Sequence, residues 1–121
     1  MTRPFHGAPA AAEHAIGRLL SLPATGREQD WEIELADPSR IGDMLALDWT
    51  VLTFDERCAL ASLLIGSFEE ASLAGEADPH LLAHGRTRIA DDPRVHDAMR
   101  SFWIDQGHWI GGREIDDLLG G

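Results

Sequence analysis

The sequence predicts a mainly α protein, a compact single-domain bundle of five or six helices around a central helix near residues 54–74, with one short extended segment near 31–35. Three observations predict it. Asp-Pro pairs recur at Asp37-Pro38, Asp78-Pro79 and Asp92-Pro93, each offering an N-cap followed by proline at the first helical position. The run Thr53-Phe54-Asp55-Glu56 is a capping box, in which hydroxyl and carboxylate each satisfy the other residue's backbone N–H. Behind it Leu60, Ala61, Leu64, Ile65, Phe68 and Ala71 recur at helical spacing. With 121 residues, 44% of them apolar, the chain is long enough to bury roughly two thirds of its unfolded surface in one core and too short for two ordinary domains. Residues 1–121 are therefore one domain, with flexible ends expected at about 1–8 and 118–121.

Taken in order, alanines crowd residues 8 to 15 and lead into Ile16, Leu19, Leu20 and Leu22, which predicts a first helix over about 9–22. In the least helical stretch, 26–37, Trp31, Ile33 and Leu35 alternate with Glu32 and Glu34, a period of two that suits a short strand or an extended, pinned segment. Ile41, Met44, Leu45 and Leu47 form the stripe of a helix capped at Asp37. The central helix has Arg57, Glu69 and Glu70 on its wet side, and Gly75 is placed to end it. Helices from Asp78 to about Ile89 and from Asp92 to about Gln106 follow, the second carrying Val95, Met99, Phe102 and Trp103. Residues Glu114 to Leu119 add a last turn or two.

Composition narrows the function. Twenty-one acids stand against ten bases, all arginine, for a net charge of −11, which disfavours direct binding to nucleic acid or to an anionic membrane surface. The single cysteine, Cys58, excludes an internal disulfide framework and a multi-cysteine zinc site. No apolar run approaches the roughly 20 residues that span a bilayer, and the N-terminal residues lack the apolar stretch of a secretory signal. A cytoplasmic location is the expectation. The pentapeptide Leu22-Pro23-Ala24-Thr25-Gly26 matches a sortase signal but lies near the wrong terminus and precedes an acidic segment, so it reads as a turn.

The charge is unevenly placed. Between Glu28 and Glu56 there are nine acids and one base, a net of −8 within 29 residues, whereas the other 92 residues carry −3. Trp31 and Trp49 lie inside this segment. Glu28, Asp30, Trp31, Glu32, Glu34, Asp37, Asp43, Asp48 and Trp49 are accordingly the candidate partner-binding residues: charge steers encounter and aromatic rings supply buried contact. The competing reading is a solvated acidic face with both tryptophans turned into the core.

Signals for catalysis are sparse. His80 and His84, four apart on a helix, with His96 and Asp92 on the next, are the candidates for a metal site or acid–base work. The run His80-Leu81-Leu82-Ala83-His84 lacks the glutamate that would serve as general base in the zinc-protease pattern. Cys58 follows two acids near a helix start, which suits a structural thiol. Phosphate-cradling glycine loops and serine nucleophile elbows are absent. No cofactor is expected.

The run Gly26-Arg27-Glu28-Gln29-Asp30-Trp31-Glu32, the Asp37-to-Arg40 helix start, Glu56-Arg57 before a long helix ending Ser67-Phe68-Glu69-Glu70, and Phe102-Trp103 in a later helix together resemble small acidic α-helical bacterial proteins of the immunity-protein type, found beside secreted toxins. The resemblance spans about residues 26–106. It implies a cytoplasmic, non-enzymatic inhibitor that binds a toxin and blocks its active site or substrate surface. A nucleic-acid-mimicking inhibitor of a basic nucleic-acid-binding complex, host- or phage-encoded, would use the same physics. The alternatives are a regulatory adaptor or homo-oligomer, including a homodimer, and a small metal-dependent enzyme.

Overall fold

The computed structural model describes residues 7–23, 31–105 and 118–119. Among them the chain forms six α-helices and no strand. Helix α1 (Ala10–Leu19) buries Ala12, Ile16 and Gly17. Its end is a Schellman turn: Ser21 takes a left-handed φ of 54°, and Leu22 N–H donates to the Gly17 carbonyl at 2.8 Å. Helix α2 (Trp31–Glu34) is a single turn, and α3 (Ile41–Ala46) follows a 3₁₀ turn at Pro38–Arg40. A second 3₁₀ turn, Trp49–Val51, leads to α4 (Phe54–Leu73), then α5 (Pro79–Ala90) and α6 (Pro93–Met99). Beyond Met99 the coil widens into a π-helical segment, Arg100–Asp105, that carries Phe102 and Trp103 inward.

The extended segment expected near 31–35 is a helix instead. Leu35 N–H donates to the Trp31 carbonyl at 3.1 Å, so residues 31 and 35 share one face at helical spacing. That single change reassigns the alternating residues. Trp31 and Leu35 point into the core, Glu32 is buried beside them, and Ile33, which a strand would have turned inward, is 56% exposed.

The expected capping chemistry is present. Thr53 and Glu56 complete the reciprocal box that opens α4. Asp37, Asp78 and Asp92 accept backbone N–H groups ahead of the three prolines. Gly75, with φ 72°, closes α4 by the same Schellman geometry as Ser21, and Glu76 N–H donates to the Ala71 carbonyl at 2.8 Å. Helix α4 is central, as expected, but has no wet side through its middle. Every residue from Cys58 to Glu69 is buried, including Glu69, which its acidic neighbour Glu70 is not. A helix covered on all sides is what a hub packed against α1, α2, α3, α5 and α6 must be.

Of the end expected to be flexible, 118–121, residues 118 and 119 are described. Leu118 and Leu119 are fully buried, and His96 Nε2 and Arg100 both donate to the Leu119 carbonyl. Residues 1–6, 120 and 121 lie outside the described residues.

Candidate functional site

The acidic segment divides once its residues are placed. Glu28 and Asp30 lie outside the described residues. Glu34, Asp43, Asp48 and Asp55 are exposed, Asp37 is half-buried and Glu32 is buried. Several of these carboxylates also have structural work. Asp43 pairs with Arg40 at 2.6 Å. Asp37 accepts from the N–H and hydroxyl of Ser39. Asp48 accepts from the hydroxyl and N–H of Thr50, bonds that hold its carboxyl below the usual carboxylate range. Much of the negative charge in this segment thus sits where helix starts and 3₁₀ turns need acceptors.

The two tryptophans are not on that surface. Trp31 is 1% exposed and its Nε1–H donates to the Ala59 carbonyl at 3.0 Å, while Trp49 is 5% exposed and donates to the Met44 carbonyl at 3.1 Å. Both rings join the hydrophobic core. Their candidate role as aromatic anchors on the acidic face is therefore corrected: each indole has satisfied its one polar atom inside the protein and buries its apolar body around it.

A groove opens instead between α2 and the C-terminal half of α4. It encloses about 240 Å³ and is lined by Glu32, Ile33, Ala36, Gly66, Glu69, Glu70, Leu73 and Trp103. Gly66 makes the geometry possible. A Cβ there would stand 1.9 Å from the Glu32 carbonyl oxygen, so only a hydrogen lets the α2 backbone rest on α4. Ile33 and Leu73, 56% and 70% exposed, stand at the groove from different elements. Of this lining, only Glu32 is among the candidate partner-binding residues of the acidic segment. The signal was Ile33: at helical spacing it leaves the Trp31–Leu35 face, and an isoleucine turned outward beside glutamates marks an amphipathic surface.

The histidine and cysteine candidates stay apart. His80 and His84 are exposed on α5, whereas His96 is half-buried, its Nε2 committed to the Leu119 carbonyl. Asp92 is engaged twice, by Arg57 at 2.7 Å and by the Val95 N–H that it caps. Among the described residues no three His, Cys, Asp or Glu side chains gather closely enough to hold a metal ion. Cys58 is fully buried, and desolvation, with Asp55 and Asp92 nearby, pushes its thiol up to about 12. A thiol held in that form is a poor nucleophile. A second hollow, about 280 Å³, lies between Trp49, Thr50, Arg57, Arg88, Asp91 and Asp92, with the Arg88 guanidinium 5.8 Å from the centre of the Trp49 ring.

Among the described residues no helix is long and apolar enough to cross a membrane. Comparison of the chain with protein-family models, with curated proteins and with solved structures gives no significant match.

Proposed function

We propose that this chain is a non-enzymatic, protein-binding inhibitor of the immunity-protein kind, acting in the cytoplasm by docking an acidic surface on a basic partner such as a toxin or a nucleic-acid-binding complex. The observation that carries the reading is the concentration of charge. A net of −8 falls within residues 28–56 of a chain whose total is −11. Within that segment Glu34, Asp43, Asp48 and Asp55 are exposed on α2, α3, the turn that follows, and the start of α4. Carboxylates displayed on a rigid helical scaffold can occupy the cationic groove that a phosphate backbone would otherwise fill, and their field speeds encounter with a positive surface. Trp31 and Trp49 serve this reading as scaffold, holding the segment's shape from inside.

The test is affinity capture from a lysate of the native cells at low and moderate salt, followed by kinetics with the recovered protein. The expected result is a single basic protein released by salt. Reversing Glu34, Asp43 and Asp55 together to lysine should slow its association on the order of tenfold and flatten the salt dependence. A partner whose association rate and salt dependence are the same for both chains would overturn the proposal.

A further inference from the structure

We infer that the groove between α2 and the C-terminal half of α4 is the docking site for an amphipathic basic segment of a partner protein, with an aliphatic side chain seated between Ile33 and Leu73 and flanking lysine or arginine against the Glu70 rim. The inference rests on the reading that the partner is a basic protein, and it names where that partner is held and by what chemistry.

Four observations converge on this groove. Leu19, Ile33, Val51 and Leu73 are the large apolar side chains that stay exposed among the described residues, and two of the four line it. Ile33 comes from α2 and Leu73 from the end of α4, so folding has brought together two apolar groups that are forty residues apart in sequence. Paired exposure of this kind in a concave setting marks a binding surface, whereas single exposed aliphatics are ordinary. Of the described lining Glu70 is the exposed acid, Glu32 and Glu69 being buried with partners of their own, and no arginine or histidine is among it. An occupant that matches both features carries an apolar side chain with positive charge around it. A second copy of a chain with a net charge of −11 is repelled from the same place.

The fourth observation concerns Trp103. It forms part of the groove's lining from the π-helical segment and is 2% exposed, yet its indole N–H has no acceptor among the described residues. Buried N–H groups without a partner are rare because desolvation is left uncompensated. Trp31 and Trp49, equally buried, both have carbonyl partners. A carbonyl oxygen on an occupant that reaches the floor of the groove would complete the third indole. The site is also preformed, since the Trp31–Ala59 bond and the close approach at Gly66 hold α2 on α4.

The probe is a short Lys/Leu peptide patterned as an amphipathic helix, compared with a Lys/Ser peptide of the same charge. Binding is read by isothermal titration, and the indole N–H signals are followed by nuclear magnetic resonance. The Lys/Leu peptide is expected to bind and to move the Trp103 indole resonance, which the Lys/Ser peptide leaves in place. Ile33→Asp and Leu73→Asp are expected to weaken binding about tenfold, although each adds an attractive charge. Val51→Asp and Leu19→Asp, which add the same charge outside the groove, should change it less than about twofold. All four positions are exposed, and circular dichroism checks that each variant is folded. No binding, equal binding of the two peptides, a Trp103 resonance that does not move, or groove variants that bind as tightly as wild type would each overturn the inference. Loss of Lys/Leu binding in the Glu34, Asp43 and Asp55 reversal with none in the groove variants sinks the groove and leaves the broader reading standing. The opposite pattern keeps the groove and removes the acidic surface from recognition.

Discussion

The indole N–H of Trp31 donates to the carbonyl oxygen of Ala59 at 3.0 Å, joining α2 to the N-terminal half of α4 through a buried bond. This contact turns the only aromatic residue of α2 inward and leaves its glutamates to face the groove and the solvent. Replacing Trp31 by phenylalanine removes the donor and part of the ring, and should cost about 1–3 kcal/mol. Trp31→Ala should cost about 3–5 kcal/mol. Urea denaturation followed by circular dichroism measures both, and a loss below about 0.5 kcal/mol for the alanine variant would show that α2 is not anchored in this way.

Two glycine-to-alanine changes should have opposite signs. At Gly42, an exposed position of α3, an added Cβ meets nothing within 4 Å, so alanine should stabilise by about 0.5–1 kcal/mol through helix propensity. At Gly66 the same gain is outweighed, because the Cβ would lie 1.9 Å from the Glu32 carbonyl oxygen. Displacing α2 to relieve that overlap should destabilise the fold by about 2 kcal/mol or more. Paired denaturation midpoints decide it.

The Schellman turns after α1 and α4 differ in one residue. Ser21 holds φ 54° with a side chain and Gly75 holds φ 72° without one. Ser21→Gly should therefore raise stability by about 1 kcal/mol, and Gly75→Ala should lower it by a similar amount. Thermal melts of the two variants would move in opposite directions.

Arg57 and Asp92 meet at 2.7 Å, with side chains 22% and 28% exposed, and tie the start of α4 to the start of α6. Asp92 also caps Val95 N–H, and Arg57 donates to the Leu52 carbonyl. Asp92→Ala loses a cap and an ion pair together and should cost about 2 kcal/mol, whereas Asp92→Asn keeps a capping acceptor and should cost about half of that. A double-mutant cycle with Arg57→Ala isolates the pair itself.

Cys58 sets an alkaline limit. The folded chain keeps this thiol protonated up to about 12, because ionising it would place a charge in the core beside Asp55 and Asp92. Its ordinary value is 9.0, which the unfolded chain regains. The proton's contribution to stability is complete below pH 9 and is lost progressively as pH rises from there towards 12. Stability should fall over that window in the wild type and fall less steeply in Cys58→Ala. At pH 8 the native thiol should resist alkylation and react once the chain is unfolded.

Most of the architecture was legible in the residues because helix starts are local chemistry. Asp37, Thr53, Asp78 and Asp92 cap helices or 3₁₀ turns through atoms two or three residues away, and such distances do not depend on the rest of the fold. The central helix was legible for the same reason, from a long apolar pattern closed by Gly75. The misreading at 31–35 has an equally physical cause. Over five residues, alternation and a single helical turn make nearly the same pattern, and what separates them is which side chain finds a buried partner. Trp31 found Ala59, twenty-eight residues away.

The candidate site was less legible. Charge is a property of composition, so the acidic segment could be counted, but which carboxylates are displayed depends on which ones the turns consume. Beyond Glu32 and the outward turn of Ile33 the groove could not be read, because Ile33, Gly66, Leu73 and Trp103 have no relation in the chain until α2 lies on α4. By itself, then, the sequence determined the class of fold, the helix starts and an excess of negative charge, all of which arise from neighbouring residues or from composition. Tertiary structure alone decided that both tryptophans of the acidic segment face inward, that Glu32 and Glu69 are buried, and that two exposed aliphatic side chains share one groove. Each of these follows from packing between distant elements, where a single missing Cβ sets how closely two backbones approach.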